Sequence, residues 1–186
     1  MSASVAKPWD SFDACGFLPA VRDALTALGF DKPTEVQARC WPIIVAGSDV
    51  VGVSATGSGK TLAFLTPTIN LLLQKPFALM RGKALAYPRL LVLAPTRELA
   101  KQIHDEGRKL VDGLRVRLRS VALYGGVDME SQKSSMRERI HWCTGTPGRV
   151  LDFLTRGQLS LDDLSALVLD EADQMLCQGF EPQSPC

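Results

Sequence analysis

The chain has 186 residues, of which 46% are hydrophobic, 22% are charged and only 6% are aromatic. This length suffices for one well-buried domain and is too short for two domains of ordinary size. The 21 basic and 20 acidic residues leave a net charge of +1. That total neither supports nor excludes nucleic acid as a partner, because binding depends on where the basic residues cluster.

The five cysteines are odd in number, widely scattered and form no C-x-x-C pair. Together with only two histidines, this spacing argues against a zinc site. No secretory leader pattern opens the chain, and its apolar runs are shorter than the roughly 18 residues of a membrane span. We therefore expect a protein of a reducing intracellular compartment without a membrane partner, with nucleus or nucleolus, cytoplasm and organelle all open.

Two helices are predicted first in chain order. Apolar residues at helical spacing between Phe17 and Leu28 predict an amphipathic helix that ends at Gly29. Thr34 is a suitable N-cap for a second helix that runs to about Ala46.

From residue 50 onward, short β-rich runs alternate with helical stretches. The predicted strands are Val50–Val53, Leu90–Leu93, Val116–Leu123, Ile140–Cys143 and Leu167–Leu169. The predicted helices are Lys60–Leu73, Arg97–Val111, Met129–Arg137, Pro147–Leu154 and Glu171–Leu176, and Lys75–Pro88 is predicted to be a surface loop. This alternation predicts an α/β fold, a parallel sheet with helices on both faces. In such folds ligands bind at the carboxyl ends of the strands.

A glycine-rich stretch follows the first predicted strand and opens a predicted helix. Its residues are Ser54, Ala55, Thr56, Gly57, Ser58, Gly59, Lys60 and Thr61. Glycines let several backbone N–H groups converge on phosphate oxygens, and the helix N-terminus adds a positive dipole. Lys60 would neutralise the β- and γ-phosphates, and the Thr61 hydroxyl would ligate Mg²⁺.

The general phosphate-loop pattern asks for glycine at position 54, where this chain has serine. The alternative is a glycine-rich turn with a chance Gly-Lys-Thr, and the flanking strand and helix favour the nucleotide site. Asp170 and Glu171 follow another apolar strand. Asp170 could hold Mg²⁺, partly through water, and Glu171 could deprotonate the attacking water. Alternatively, both are acidic residues that open a helix and complement its dipole.

Asp170-Glu171-Ala172-Asp173, the glycine-rich stretch and several further blocks resemble the first RecA-like domain of DEAD-box RNA helicases, a P-loop NTPase fold. Residues 29–37 resemble the Q motif of that family, with Phe12 at the expected upstream position. The resemblance implies that Gln37 hydrogen-bonds the adenine edge and that Phe12 stacks on the ring, which would favour ATP. Taken alone, Phe12 is better explained as a core or helix-packing aromatic, and Gln37 as an ordinary helix-surface residue.

Three more blocks match the family, and by resemblance they contact the sugar-phosphate backbone of single-stranded RNA. They are Pro95, Thr96 and Arg97, which continue to Ala100, then Gly125 and Gly126, and Thr146, Pro147, Gly148 and Arg149. Hydroxyls, glycine N–H groups, helix N-termini and arginines bind phosphate without reading bases. Each block alone could be a turn with a helix cap, Thr96 and Thr146 serving as N-caps. Asp173 would couple the two domains of the family.

We predict an N-terminal extension at 1–11, an incomplete RecA-like ATP-binding domain at 12–183 and an atypical tail at 184–186. The family's last strand of this domain, with Ser-Ala-Thr, and its second RecA-like domain are expected to be absent. The fold would then be truncated at its C-terminal end and expose a sheet edge, which predicts marginal stability or aggregation.

The resemblance implies an ATP-dependent RNA helicase that uses ATP and Mg²⁺ for local RNA unwinding. We expect this chain alone to bind ATP and RNA weakly without unwinding. One alternative is a non-catalytic nucleotide- or RNA-binding module, or a truncated splice product. Another, an unrelated P-loop ATPase acting on protein or DNA, is disfavoured by Gln37 and by the block at Pro95–Ala100.

Overall fold

A computed structural model describes residues 7–74, 85–114, 116–137 and 139–177 of the protein. Within these ranges the helices are α1 Pro19–Ala27, α2 Glu35–Val45, α3 Lys60–Gln74, α4 Arg97–Gly113, α5 Met129–Met136, α6 Pro147–Thr155 and α7 Ala172–Cys177. The strands are β1 Leu90–Leu93, β2 Ser120–Leu123, β3 Trp142–Gly145 and β4 Ala166–Leu169.

The four strands form one parallel sheet in the order β2-β3-β1-β4. In its register, Leu90 lies opposite Trp142 on one side and Ala166 on the other. Because all four strands run the same way, their carboxyl ends meet at one edge of the sheet. This arrangement confirms the predicted α/β fold with a parallel sheet.

The described residues belong to two compact units. Unit 1 comprises Met1–Leu79 and Asp105–Leu118, and it holds α1, α2, α3 and the second half of α4. Unit 2 comprises Met80–His104 and Arg119–Cys186, and it holds the entire sheet, the first half of α4 and helices α5 to α7.

The core of unit 1 is organised around Trp41 of α2, whose side chain is completely buried. Its indole Nε1 donates a hydrogen bond to the Leu62 carbonyl of α3 at 3.1 Å. The Phe17 ring packs edge-on against it at a centroid distance of 4.9 Å. The Leu18 amide, which precedes α1, donates to the side-chain oxygen of buried Asn70 at 2.8 Å. These contacts fix α1, α2 and the α3 helix against one another.

Helices cover both faces of the sheet in unit 2. Adjacent residues of a strand point to opposite faces. Cys143 of β3 lies in a buried cluster with Val150 and Phe153 of α6. The neighbouring Trp142 instead has its ring 5.3 Å from that of His104 in α4. Helix α6 therefore packs on one face and α4 on the other, as the sequence pattern predicts.

The prediction of a strand at Val50–Val53 is wrong. The side chains of Val51 and Val53 are each 91% exposed, and no strand pairs with this segment among the described residues. A strand is stabilised by a ladder of hydrogen bonds to a neighbour, so β-propensity alone does not make one. The other predicted elements are present, with β2 shorter than predicted and β3 displaced by two residues.

Several predictions fall outside the described residues. They are positions 1–6 of the predicted extension, 75–84 of the predicted loop, and 178–186 at the end of the predicted domain and its tail. None of the described helices combines the length and hydropathy that crossing a membrane requires.

Candidate functional site

The glycine-rich loop of unit 1 leads directly into α3, whose first residue is Lys60. Gly57 and Gly59 have φ angles of 76° and 94°, a region that residues with a Cβ rarely adopt. The first turn of a helix leaves its N–H groups without intrahelical partners. The loop and the start of α3 therefore offer a concentration of backbone donors to an anion.

Hydrogen bonds from side chains connect the beginning of this loop to its end. Lys60 Nζ donates a hydrogen bond to the Ser54 carbonyl at 2.7 Å. The hydroxyl oxygens of Ser54 and Ser58 are 2.7 Å apart and share a hydrogen bond. Ser54, where the general pattern has glycine, thus stabilises the loop through its backbone carbonyl and its hydroxyl. Thr61 follows Lys60 in the first turn of α3 and is half-buried.

Gln37 joins α2 to the glycine-rich loop. Its side chain is buried, with Oε1 accepting from the Thr34 amide at 3.0 Å and Nε2 donating to the Gly59 carbonyl at 3.1 Å. A Cβ added at Gly59 would lie 2.6 Å from Gln37 Nε2, so this position has no room for a side chain. The surface-residue alternative for Gln37 is excluded. The amide oxygen has a second lone pair and the amide nitrogen a second hydrogen, so each end can form one more hydrogen bond.

Phe12 is half-buried in unit 1 and packs against a tryptophan. Its ring centroid is 6.2 Å from that of Trp41, with the two planes inclined by 34°. This contact is the packing role that the sequence left open for Phe12. Stacking on an adenine ring stays a prediction.

Asp170 and Glu171 lie at the carboxyl end of β4 in unit 2. The Asp170 amide donates to the Leu93 carbonyl of β1 at 2.9 Å, which continues the strand pairing. The Glu171 amide donates to Asp170 Oδ1 at 3.1 Å. Among the described non-glycine residues, Glu171 alone has a positive φ, of 52°. This conformation costs roughly 1–2 kcal/mol, and such strain tends to be retained at functional sites.

The three predicted RNA-contacting blocks follow β1, β2 and β3, and all lie in unit 2. Backbone hydrogen bonds connect the ends of the strands at which these blocks begin. The Ala94 amide donates to the Gly145 carbonyl at 3.0 Å, and the Thr146 amide donates to the Leu123 carbonyl at 2.9 Å. The structure therefore brings Pro95, Thr96, Arg97, Gly125, Gly126, Thr146, Pro147, Gly148 and Arg149 to one edge of the sheet.

The two threonines of these blocks differ in their capping roles. Thr96 Oγ1 accepts from the Leu99 amide at 3.2 Å, so its hydroxyl serves as an N-cap of α4. Thr146 occupies the N-cap position of α6, but its side chain makes no capping hydrogen bond. The N-cap alternative thus describes Thr96, whereas the Thr146 hydroxyl is not used in this way.

Arg97 lies beside the Gly125–Gly126 loop. A Cβ added at Gly126, whose φ is 78°, would be 2.8 Å from Arg97 Nη1. Arg97 Nε also donates to Glu98 Oε1 at 3.2 Å. The pKa of Glu98 is lowered, chiefly by a hydrogen bond from its own backbone amide and further by Arg97. An ionised Glu98 therefore helps to orient an arginine that is 53% exposed.

Arg149 is used within the protein, with only 13% of its side chain exposed. Its Nη1 donates to the Val127 carbonyl at 3.0 Å and to Gln132 Oε1 at 2.8 Å. Gln132 is itself 6% exposed and was not marked by any motif. It shares a helical face with Met129 and Met136 at i+3 and i+7 spacing, and a polar residue in an apolar stripe is the signal that could have identified it.

Comparison with known proteins gives a consistent answer over nearly the whole chain. The model of the DEAD/DEAH box helicase family matches residues 34–184. ATP-dependent RNA helicase DBP2 of Gibberella zeae is 44% identical over 181 residues, which is 97% of this chain and 32% of that protein. DBP2 of Chaetomium thermophilum is 45% identical over 179 residues, 96% of this chain and 31% of that protein. The chain thus spans about a third of the length of these relatives.

Solved structures of similar proteins agree in fold. A DEAD box protein from the hyperthermophile Methanococcus jannaschii superimposes with a TM-score of 0.81 at 32% identity, covering 94% of this chain and 45% of that one. The yeast DEAD-box splicing factor Prp28 gives a TM-score of 0.87 at 31% identity, covering 98% of this chain and 43% of that one.

Proposed function

Because the chain belongs to the DEAD/DEAH box helicase family, we propose that it binds ATP with Mg²⁺ and the backbone of single-stranded RNA as part of an RNA helicase. Its DEAD-box sequence and RecA-like fold are the features that support this function. The relatives are named as ATP-dependent RNA helicases, and the chain covers 32% of the first of them. Local RNA unwinding driven by ATP hydrolysis is therefore proposed for the whole protein.

The glycine-rich loop of unit 1 is the observation that carries this proposal. Two glycines with positive φ and the start of α3 present backbone donors in the manner that a triphosphate requires. Lys60 Nζ, 2.7 Å from the Ser54 carbonyl, would exchange that neutral acceptor for anionic phosphate oxygens. The exchange is favourable because the lysine ammonium then meets an opposite charge, whose attraction a neutral carbonyl does not supply.

Gln37 is proposed to select adenine. One donor and one acceptor remain on its amide after the bonds to Thr34 and Gly59. An adenine edge offers the complementary amino group and ring nitrogen. Gln37 would thus connect base recognition to the loop that holds the phosphates.

The Thr61 hydroxyl and the Asp170 carboxylate are each suited to Mg²⁺, because hard oxygen ligands are those that this ion prefers, directly or through water. Bound Mg²⁺ would neutralise phosphate charge. Glu171 would accept a proton from the attacking water, and its strained backbone supports a functional role. Asp173, which is exposed in the first turn of α7, would serve coupling between domains.

The cluster at the carboxyl ends of β1, β2 and β3 is proposed to bind RNA. It offers glycine amides, the Thr146 hydroxyl and the exposed guanidinium of Arg97, which are phosphate ligands that carry no base information. Binding should therefore be independent of RNA sequence and sensitive to salt.

The cellular compartment is proposed on the basis of the cysteines. Cys15, Cys40, Cys143 and Cys177 all carry free thiols. Free thiols are typical of reducing compartments, which supports an intracellular location.

RNA-stimulated ATP hydrolysis by the chain tests the proposed function. It is best measured with protein in excess over ATP, so that slow turnover is detected, and Lys60→Ala serves as the inactive control. Stimulation by single-stranded RNA above that control would support an enzyme. ATP binding without stimulated hydrolysis would favour the non-catalytic binding module. Failure to bind ATP would overturn the proposal.

A further inference from the structure

We propose that Gln132 and Arg149 form a clamp that positions the Gly125–Gly126 loop for RNA binding, and that Arg149 acts on RNA through this loop. The inference rests on the proposed RNA-binding function and assigns a role to Gln132, a residue outside the family-like blocks. It concerns positioning residues, since neither side chain needs to touch RNA.

The clamp holds the loop from both sides. Gln132 Nε2 donates to the carbonyl of Tyr124, the residue before the two glycines, at 3.1 Å. Arg149 Nη1 donates to the carbonyl of Val127, the residue after them, at 3.0 Å. The two side chains are joined to each other by the 2.8 Å bond from Arg149 Nη1 to Gln132 Oε1. Three hydrogen bonds thus fix both ends of a two-residue loop to the start of α6.

Burial strengthens the hydrogen bonds of the clamp. Gln132 is 6% exposed, and 13% of the Arg149 side chain is exposed. Water competes poorly for such groups, and a buried polar group that loses its partner incurs a full desolvation cost. The Arg149 guanidinium also lies 3.9 Å from the Asp152 carboxylate. The two hydrogen bonds that Arg149 Nη1 donates are thus directed to groups of the protein itself.

The loop itself remains open to a ligand. A Cβ added at Gly125 would meet nothing within 4 Å, and both glycines are exposed. Glycine is the most flexible residue, so two in succession would lose much conformational freedom on binding a phosphate. Holding the flanking carbonyls in place reduces that loss before RNA arrives, which is how preorganisation increases affinity.

The test is the affinity of the chain for fluorescein-labelled single-stranded RNA as a function of salt. Gln132→Met is of similar size, has no hydrogen-bond donor and only a weak acceptor, and removes no charge. Gln132→Glu keeps the acceptor for Arg149 and loses the donor to Tyr124. Ser135→Ala, at an exposed position of the same helix, is the matched control.

We expect Gln132→Met and Arg149→Met each to weaken RNA binding by roughly 5- to 10-fold, because each removes two of the three hydrogen bonds of the clamp. The double variant should be no weaker than either single variant, because both disable one clamp. A phosphate contact on a single strand contributes about 0.7 to the slope of log affinity against log salt. That slope should stay unchanged in Gln132→Met and in Arg149→Met.

Separate outcomes distinguish this inference from the function on which it rests. If the unaltered chain fails to bind RNA, both are overturned. If the unaltered chain binds RNA, and Gln132→Met and Gln132→Glu both bind it as tightly as the unaltered chain does, the clamp is overturned and the proposed function is not. A slope reduced by about 0.7 in Arg149→Met would assign its guanidinium to a phosphate and overturn the indirect role. ATP affinity and thermal unfolding show whether each variant is folded. If Gln132→Met is unfolded, the RNA affinity of Gln132→Glu tests the clamp in its place.

Discussion

Lys60 and Glu171 have separate roles in the proposed reaction, and their local surroundings in the structure differ. Lys60 begins α3 with its ammonium group on the Ser54 carbonyl, 2.7 Å away. Glu171 follows β4 with a φ of 52° and is half-buried. The first would bind phosphate before any chemistry occurs, whereas the second would act only on the attacking water.

Substitution should separate these two roles. Lys60→Ala is expected to weaken ATP binding by at least about tenfold, because it removes a charge-assisted contact to phosphate. Glu171→Gln should leave ATP affinity within roughly twofold and slow single-turnover hydrolysis by roughly 10²–10⁴, the range of general base catalysis. A fluorescent ATP analogue measures the first quantity and radiolabelled ATP the second. Equal loss of binding in both variants would contradict the assigned roles.

Residue identity predicts chemistry well but does not predict side-chain partners. Lys60 and Thr61 could be selected from the sequence because their types and spacing match phosphate recognition. Gln37 could be selected only through the resemblance of residues 29–37 to the Q motif of the family. The bond from Gln37 to Gly59 and the inward direction of Arg149 could not be predicted, since both depend on residues 17 to 22 positions away. The polar position of Gln132 in an apolar stripe is visible in the sequence, but its pairing with Arg149 is not.

Secondary-structure elements were predictable where local pattern and pairing agree. Leu90–Leu93 is a strand with the predicted bounds, because four apolar residues between two paired neighbours satisfy both conditions. Val50–Val53 has a similar composition and is not a strand, because no partner lies beside it within the described residues. Pairing is a tertiary property that composition does not contain.

Strand β4 is an edge strand with an apolar surface. Within the described residues it pairs only with β1, and Leu167 and Leu169 are 54% and 51% exposed. Beside it lies an apolar groove of about 330 Å³ lined by Leu91, Leu93, Pro147, Gly148, Val150, Leu151, Leu154, Leu161, Leu164 and Leu167. An open apolar strand edge favours pairing with another chain.

We predict that the chain self-associates as its concentration rises and that Leu167→Lys reduces this association. A charge on an edge strand opposes pairing with another strand. Sedimentation velocity across a concentration series measures the effect. Leu176→Lys, at an 80% exposed position of α7, is the matched control. Equal effects of the two substitutions, or none from Leu167→Lys, would contradict the role of the strand edge.

His141 connects the residues that precede β2 and β3. The Arg119 amide donates to His141 Nδ1 at 2.8 Å, so the ring must have that nitrogen unprotonated. Burial lowers the pKa of His141, and the positive charge of Arg139 lowers it further. The Arg119 and Arg89 charges act in the same direction.

The free energy of unfolding should therefore fall as the pH is lowered below about 6.5, the ordinary pKa of histidine. Below that pH the unfolded chain binds a proton that the folded chain excludes, until the lowered folded-state pKa is reached. The expected slope is at most about 1.4 kcal/mol per pH unit. Urea denaturation at several pH values compares the chain with His141→Gln, which retains an acceptor. Parallel pH profiles of the two proteins would contradict this account.

At the scale of the whole molecule, the proposed functions are distributed over two compact units. Unit 1 holds the glycine-rich loop and Gln37, and unit 2 holds the sheet, Asp170, Glu171 and the blocks proposed to contact RNA. The fold class followed from the alternation of strand and helix patterns, and family membership followed from the order of the blocks. The division into units depends on long-range packing, which no local pattern contains.

The central claim is that this chain is an adenine-selective, phosphate-loop nucleotide-binding domain. Calorimetric titration with ATP·Mg²⁺ and with GTP·Mg²⁺ tests it most directly, with Lys60→Ala measured alongside. We predict that ATP binds at least about tenfold more tightly than GTP, since the Gln37 amide would match adenine and mismatch guanine. We also predict that Lys60→Ala loses most of this binding. Equal affinity for both nucleotides, or ATP binding unaffected by Lys60→Ala, would contradict the claim.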